Sequence, residues 1–361
     1  MGVGFIIPDY VRHIDHSTIN AGERMTDNAS NSYQPKDNPR VEGLRLLEML
    51  QDGRFHSGEE IGERLGVSRT AVWKRIQKIN SQFGVMVHGV SGRGYRLAKE
   101  MIALQPGQKF LGRYFSWNIE LFTSLDSTNA EALRRLALDA VAPFAILAEQ
   151  QTAGRGRRGR VWVSPYGENL YFSLAMKNDR GVIGLEGLSL VVGLAVVAAL
   201  RKVGIIDIGL KWPNDVLASG KKIAGVLVEL AGDIVDVCNV VIGIGINVNM
   251  LASDDGIDQE WTSASIETGS LIDRNALLTE LQAQLDEYLS RHANYGFRAF
   301  LDEWDRNDLW RGQVVELSSG GQKVSGTVKG VDRTGALKLS IGDDMRVFSG
   351  GELSLRLQHD S

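Results

Sequence analysis

Residues 154–160 read GRGRRGR, four arginines interleaved with three glycines. A guanidinium keeps its charge at physiological pH, and its fork of donors matches a phosphate or a carboxylate. Glycine allows backbone N–H groups to approach an anion closely. The segment therefore predicts an anion-binding loop, although arginine–glycine runs also occur in disordered RNA-binding tails.

Three further motifs favour binding of a charged ligand. The stretch KWPND, residues 211–215, carries Lys211, Asn214 and Asp215 at a strand end or turn, where Pro213 fixes the bend. The stretch KKIAGVLVE, residues 221–229, gives two lysines and then a strand with a glycine at position 225, where another group can approach the backbone. The stretch GIGIN, residues 243–247, repeats that pattern. Taken singly, a strand glycine also fits a bulge, and a lysine pair also fits a solvated surface.

Several classes of enzyme are disfavoured by what the sequence lacks. The six histidines are scattered without metal-ligand spacing, and there is no GxSxG and no GxxxxGK[ST]. The segment around Gly243 and Gly245 lacks the third glycine and the following helix of a dinucleotide fingerprint. The single cysteine, Cys238, excludes a disulfide framework and fits a reducing cytoplasm. Covalent nucleophile chemistry and metal-dependent hydrolysis are therefore poor candidates.

Helical spacing in the first third of the chain predicts a winged helix-turn-helix. Ser57 and Ser68 occupy N-cap positions, and Glu60 completes a capping box with Ser57. In the second of these helices, Val72, Ile76, Ile79 and Phe83 fall on one face. The stretch VMVHGVSGRGYRL then alternates around a glycine-rich turn, as a β-hairpin wing does.

The charge of this region points to DNA. Between Ser68 and Lys99 there are seven basic and no acidic residues, in a chain whose net charge is −4. A solvated basic face would explain the charge alone, but its combination with the helix-turn-helix and the wing favours contact with a phosphate backbone. The candidate DNA-binding residues are Arg69, Thr70, Trp73, Lys74, Gln77 and, in the wing, Arg93.

The organisation predicted for the 361 residues is an α+β multidomain protein. We expect a disordered extension over 1–38, the winged helix over 39–100, a mixed α/β domain over 103–308 and a small β-barrel over 309–361. The apolar run from Leu188 to Leu200 is about thirteen residues long, which is short for a membrane span and predicts a buried helix.

Taken together, EQQTAGRGRRGRVW, KWPNDV, KKIAGVLVE, GIGINVN and an upstream DSTN at 126–129 resemble the biotin protein ligase family. The resemblance covers about residues 40–361. The winged helix in front and the barrel behind match the family's bifunctional members, which also repress the biotin biosynthesis operon. It implies a catalytic domain similar to class II synthetases and an SH3-like barrel at the C-terminus.

The resemblance implies the following activity. Biotin and ATP form biotinyl-5′-AMP and pyrophosphate, and the biotinyl group then passes to one lysine of the biotin carboxyl carrier protein of acetyl-CoA carboxylase. With biotinyl-5′-AMP bound, the protein represses its operator DNA as a homodimer. Mg²⁺ would be carried on the phosphates with water molecules, because no carboxylate pair offers an evident site. We expect a cytoplasmic protein with no membrane partner.

The resemblance also assigns roles to residues. The catalytic residues would be Lys222, Arg157 and Asp215, with Asp215 near the incoming lysine and Gly154 belonging to the covering loop. The biotin-binding set comprises Ser127, Thr128, Asn129, Gln151, Arg155, Gly156, Arg157 and Lys222. The ATP-binding set comprises Arg157, Arg160, Trp162, Lys211, Asn214, Lys222, Asn247 and Arg356, in which Trp162 would stack on adenine.

Two alternatives remain at this point. A lipoate ligase shares the catalytic fold, but GRGRRGR and KWPND argue against it. A non-enzymatic, biotin-sensing transcription factor would keep the basic winged helix and lose the lysine, whereas Lys222 is present.

Overall fold

The structure, a computed structural model, describes residues 39–232, 238–252, 257–319, 322–349 and 354–357. The described chain forms two compact units, one ending at Ala103 and the other beginning at Leu104. The extension expected over residues 1–38 lies outside the described residues.

The first unit is the predicted winged helix. Its helices and strands are α1 (Pro39–Leu50), α2 (Gly58–Leu65), α3 (Arg69–Phe83), β1 (Val87–Val90) and β2 (Gly94–Leu97). The side chains of Ser57 and Ser68 accept hydrogen bonds from the backbone N–H groups of Glu60 and Ala71, which confirms both N-caps. The predicted apolar face of α3 is buried, and α3 packs against α1 and α2, so the opposite face of α3 is left to solvent.

The second unit is built on an eight-stranded sheet in the order β3-β4-β5-β6-β10-β9-β8-β7. All neighbours are antiparallel except β4 and β5, which are parallel. The strands are β3 (Lys109–Leu111), β4 (Ser116–Phe122), β5 (Phe144–Ala148), β6 (Leu170–Asn178), β7 (Ile208–Lys211), β8 (Asp215–Ala218), β9 (Lys221–Ala231) and β10 (Cys238–Ile246).

Helices cover both faces of this sheet. They are α4 (Thr128–Ala137), α5 (Leu188–Lys202), α6 (Ala264–Thr268), α7 (Arg274–Tyr295) and α8 (Leu301–Asn307). Along β5, Phe144 and Ile146 pack with α4, whereas Ala145 and Leu147 join the core around α5 and α7. Since side chains alternate along a strand, α4 lies on one face and α5 with α7 on the other.

Helix α5 is apolar because the core surrounds it. Residues 181–202 are long and apolar enough by composition to cross a membrane. In the structure α5 is buried along most of its length, from Leu188 to Leu200. This confirms the predicted buried helix.

The C-terminal strands, for which the sequence predicts a small β-barrel, form a five-stranded sheet. They are β11 (Val314–Ser319), β12 (Gln322–Val331), β13 (Leu337–Ile341), β14 (Asp344–Phe348) and β15 (Ser354–Leu357). The order is β14-β13-β12-β11-β15, so among the described residues β14 and β15 pair with one neighbour each and the sheet stays open.

The stretch KWPND, predicted at a strand end or turn, forms the hairpin of β7 and β8, with the turn at residues 212–214. Departures from the predicted elements are confined to short segments. Strands β3 and β4 and helices α6 and α8 were not predicted, because each is short or lacks clear periodicity.

Candidate active site

Glycines open one face of the central sheet. Gly225 on β9 pairs with Gly245 on β10, and both lie beneath the indole of Trp162. A Cβ atom added to Gly245 would lie 2.5 Å from Trp162 Cε2, and one added to Gly225 would lie 3.1 Å from Trp162 Cζ3. These two glycines therefore make room for Trp162, which is the close approach that the strand glycines predicted.

A cavity on this face collects most of the predicted site residues. It lies on the side of the sheet that carries α4, since Val241 on β10 packs with α4 and Gly243 and Gly245 follow at intervals of two. Its lining includes Ser127, Thr128, Asn129, Gln151, Arg155, Gly156, Arg157, Arg160, Trp162, Lys211, Asn214, Asp215 and Lys222. Residues from five separate stretches of sequence thus share one cavity.

Lys222 and Asp215 form an ion pair in this cavity. Lys222 Nζ lies 2.7 Å from Asp215 Oδ1, and the two side chains are only 15% and 16% exposed. The pairing of β8 with β9 brings them together, with a register shift beside them between Val216 and Leu217. Lys222 Nζ also lies 5.3 Å from the ring centroid of Trp162. A desolvated, oriented ammonium is well suited to stabilise an anion.

The arginine–glycine loop is folded as a small hairpin. Arg155 pairs with Val161, and the Gly156 N–H donates to the Arg160 carbonyl at 2.8 Å. Arg158 has φ 59°, a left-handed conformation that costs a non-glycine residue about 1 kcal/mol; Gly159 follows with φ 72°. Arg158 is exposed in this turn, whereas Arg157 is half-buried.

Two arginines of the loop have partners on the sheet. Arg157 Nη1 donates to Asn214 Oδ1 at 3.1 Å, and the Asn214 amide in turn donates to the Val226 carbonyl at 2.8 Å. Arg155 Nη1 lies 3.5 Å from Glu229 Oε1. The asparagine of KWPND therefore positions a loop arginine in this structure.

A polar corner lies at the N-terminus of α4. The N–H and hydroxyl of Thr128 both donate to Gln151 Oε1, at 2.9 and 3.1 Å. Gln151 Nε2 donates to Ser164 Oγ at 3.0 Å, and the Ser173 hydroxyl lies 2.7 Å from Thr128 Oγ1. These buried or half-buried donors and acceptors match one another, as a site for a neutral polar group requires.

The other end of the cavity is cationic. Lys211 Nζ lies 4.3 Å from the ring centroid of Trp310. Burial lowers the pKa of Lys211, and the Asp215 carboxylate opposes that effect. The nearby cations of Lys222, Arg160 and Arg356 lower the pKa of Lys211 further. Excess positive charge at this end of the cavity favours the binding of a polyanion.

Two predicted ATP-binding residues lie outside the cavity lining. Asn247 donates its amide hydrogens to the carbonyls of Thr262, at 3.0 Å, and Lys222, at 3.5 Å, so it braces the backbone of the lysine. Arg356 lines an adjoining cleft that shares Arg158 and Arg160 with the cavity and also contains Lys323, Glu316 and Ser318.

The structure adds three residues that the sequence analysis did not single out as site residues. They are Ser173, Glu229 and Trp310, which contact Thr128, Arg155 and Lys211 respectively. A polar residue within an apolar strand was an available signal for Ser173 and Glu229. Trp310 had none, because it follows α8 far along the chain.

The candidate DNA-binding residues lie on the surface of the first unit. Arg69, Thr70, Trp73, Lys74 and Gln77 are all exposed on α3, and Arg93 is exposed at the wing. Among them, Trp73 is 52% exposed. The guanidinium groups of Arg93 and Arg96 lie 4.9 and 4.8 Å from the ring centroid of Phe55.

The described residues contain no group of three or more histidine, cysteine, aspartate or glutamate side chains that could hold a metal ion. Among the residues lining the cavity, the one carboxylate is Asp215, and it pairs with Lys222.

Comparison with known proteins agrees with this geometry. Residues 121–247 match the biotin/lipoate A/B protein ligase family, residues 44–96 match an HTH domain, and residues 312–356 match the biotin protein ligase C-terminal domain. The bifunctional ligase/repressor BirA of Salmonella typhimurium is 40% identical over 87% of this chain and 97% of its own length. The bifunctional ligase/repressor BirA of Escherichia coli is 38% identical with the same coverage. The structure also resembles biotin protein ligase from Aquifex aeolicus in complex with biotin and ATP, with a TM-score of 0.60 and 33% identity over 67% of this chain and 99% of that one.

Proposed function

The chain belongs to the family of bifunctional biotin ligase/repressors, and on that premise we propose how its residues carry out ligation. The protein ligates biotin in an ATP-dependent reaction, and its helix-turn-helix makes it a repressor. The observation that carries the mechanism is the buried Lys222–Asp215 pair beneath the arginine–glycine loop.

In the first half-reaction a carboxylate of biotin attacks the α-phosphate of ATP. Two anions must meet, and negative charge grows on the departing pyrophosphate. Lys222 bridges the carboxylate and the α-phosphate, and Arg157 neutralises the phosphate from above. Because both cations are already oriented by Asp215 and Asn214, little reorganisation accompanies the transition state.

The cationic end of the cavity receives the rest of the nucleotide. Lys211 and Arg160 face the β- and γ-phosphates, and Arg356 extends this charge into the adjoining cleft. Trp162 stacks on the adenine, and Asn247 acts through the backbone of Lys222. A Mg²⁺ ion would be held by phosphate and water oxygens and would supply charge neutralisation when bound.

The polar corner holds the ureido group of biotin. Ser127, Thr128, Asn129 and Gln151 offer the donors and acceptors that such a neutral group needs. Arg155 and Gly156 close over the biotin ring from the loop. In the second half-reaction, the amine of the carrier lysine attacks the acyl carbonyl of the adenylate and AMP leaves. Asp215 accepts the proton of that amine in our proposal.

We also propose the partners of the protein, its location and its division into domains. The carrier is the biotin carboxyl carrier protein of acetyl-CoA carboxylase, and the protein binds its operator as a homodimer, since a helix-turn-helix dimer reads two half-sites. The protein works in the cytoplasm. The division into 39–100, 103–308 and 309–361, the class II synthetase-like character of the middle part and an SH3-like curl of the C-terminal sheet belong to the same proposal.

The test supplies the pure protein with labelled biotin, ATP and a biotin carboxyl carrier domain. We expect label on one lysine of the carrier and one pyrophosphate released for each label transferred. A parallel reaction with lipoate distinguishes the alternative ligase. Pyrophosphate release with lipoate alone would overturn the proposed substrate, whereas no release with either acid would contradict the enzymatic role.

A further inference from the structure

Glu229 lies outside the cavity, yet it contacts two residues that line it. Its Oε1 atom lies 3.5 Å from Arg155 Nη1, and its Oε2 atom accepts a hydrogen bond of 2.8 Å from Asn129 Nδ2. Arg155 belongs to the arginine–glycine loop, and Asn129 lies in the first turn of α4. One carboxylate therefore joins the loop to the polar corner.

The alternation of β9 fixes the direction of this side chain. Gly225, Leu227 and Glu229 follow one another at intervals of two, and Gly225 lies beneath Trp162 on the cavity face. Val226, between them, joins the core around α5 on the opposite face. Glu229 thus lies on the same face of β9 as Gly225 and Leu227, just beyond the part of the strand that lines the cavity.

The hydrogen bond to Glu229 also fixes the orientation of the Asn129 side-chain amide. Because a carboxylate can only accept hydrogen bonds, Asn129 must turn its Nδ2 atom toward Glu229 and the Leu227 carbonyl. Its Oδ1 atom then faces the Ser173 hydroxyl, which donates to it at 2.5 Å. Gly243 leaves the space for this amide, since a Cβ atom there would lie 2.2 Å from Asn129 Oδ1.

We propose that Glu229 is a positioning residue that latches the arginine–glycine loop over the cavity through its ion pair with Arg155. The pair is only partly shielded, with side chains 40% and 26% exposed, so the latch is strong enough to bias the loop and weak enough to release it. The loop's second contact, from Arg157 to Asn214, lies at the nucleotide end. The two contacts hold the loop at separate points.

The test is limited trypsin digestion of the full chain, followed by mass spectrometry of the cut after Arg158. Cleavage there requires the loop to open, so its rate reports the open population. Glu229→Gln keeps an acceptor for Asn129 and removes the charge that binds Arg155. We expect the cut to appear about threefold to tenfold faster than in the wild-type protein.

A double-mutant cycle separates the latch from a general structural effect. Arg155→Gln should speed the same cut by a similar factor, and the double variant should be cut no faster than either single variant. Glu120→Gln is the matched control, because it removes the same charge from an exposed ion pair with Arg135. A wild-type cleavage rate in Glu229→Gln, or independent effects in the double variant, would overturn the latch. If Glu229→Gln does not fold, as judged by its melting transition, Arg155→Gln alone tests the proposal. A wild-type rate of cleavage after Arg158 in Arg155→Gln would then overturn the latch.

A kinetic measurement ties the latch to ligation, and this part rests on the proposed function. Loop opening competes with ligand binding, so Glu229→Gln should raise the KM for biotin about threefold to tenfold while kcat stays within about twofold. A fall in kcat with an unchanged KM would instead place Glu229 among residues that stabilise the transition state. Because the digestion is done without ligand, it tests the latch independently of the proposed function. The latch can be disproved while biotin ligation is confirmed, and biotin ligation can be disproved while the latch is confirmed.

Discussion

Two arginine-rich segments of this chain hold their cations in different surroundings. Residues 154–160 form a curled loop whose Arg155 and Arg157 contact Glu229 and Asn214. Residues 68–99 carry seven basic residues on α3 and the wing, and the predicted DNA contacts there are exposed. In the first segment two arginines have side-chain partners beside the cavity, whereas in the second the predicted DNA contacts face solvent.

The difference follows from the two kinds of anion. A nucleotide and a vitamin carboxylate must meet in one geometry, so their cations gain from burial and fixed partners. A DNA duplex offers a row of phosphates, and binding gains mainly from release of counterions, so exposed and flexible cations serve it well. The two segments are similar in their content of basic residues. They differ in whether those residues have side-chain partners or face solvent.

The largest effect is expected at Lys222. Lys222→Ala removes the buried cation of the cavity and leaves Asp215 unpaired beside two incoming anions, so adenylate formation should fall about 10³-fold or more. Pyrophosphate release measures it. Binding of generic duplex DNA, which uses the other segment, should stay at the wild-type level.

The neighbouring lysine provides the control for that experiment. Lys221 is exposed at the start of β9, and Lys221→Ala should change adenylation by less than about twofold. Equal losses in the two variants would mean that net charge, rather than the position of Lys222, matters.

The next effect concerns the glycines under Trp162. Gly245→Ala would place a Cβ atom 2.5 Å from the Trp162 ring, so the indole that we propose stacks on adenine must move, and ATP affinity should fall about tenfold or more. Gly107→Ala is the control, since its Cβ atom would meet one backbone atom at an ordinary 3.7 Å. Calorimetric titration with ATP compares the two variants, and unchanged affinity in Gly245→Ala would show that the cavity tolerates a displaced indole.

These glycines illustrate how far the sequence predicts the site. The motifs around Gly154, Gly225 and Gly245 indicated close approaches of other groups to the backbone, and the structure supplies Trp162 in each case. The pairing of Lys222 with Asp215 was not predictable, because it depends on the register of β8 and β9 and on the shift between them. Contacts such as Arg155 with Glu229 join residues far apart in sequence, where local patterns carry no information.

The fold shows the same division. Helices α3 and α7 have caps and apolar periodicity within themselves, so the sequence predicts them well. The order of the eight strands, in which β10 lies between β6 and β9, arises from long-range packing. Strand β3 is three residues long and was missed, since it gains stability mainly from its pairing with β4.

A smaller effect should appear in the salt dependence of DNA binding. Lys74→Ala removes one exposed cation from α3, so the slope of log K against log salt concentration should fall by about one. Fluorescence anisotropy with a generic duplex at several salt concentrations measures the slope. Arg158→Ala, in the loop, should leave it unchanged; an equal change there would mean that both segments touch DNA and that the contrast between them fails.

The smallest effect concerns His56, whose backbone pairs with Tyr95 of the wing through hydrogen bonds of 2.9 and 2.8 Å. Burial acts to lower the pKa of His56, but hydrogen bonds with Asp52 and Glu60 outweigh it, and the net pKa is raised. The protonated ring therefore stabilises the first unit below about pH 6.5, its unfolded value, and this contribution is lost as the pH rises through the folded pKa. Since both carboxylates are about half exposed, the contribution should stay below about 1 kcal/mol.

Hydrogen exchange of the Tyr95 amide in His56→Gln should be faster than in the wild-type protein at pH 5.5 and nearly equal to it at pH 8.5. His88→Gln, at an exposed wing position, should match wild-type at both pH values, and a His56→Gln difference that does not change with pH would assign the histidine a purely steric role.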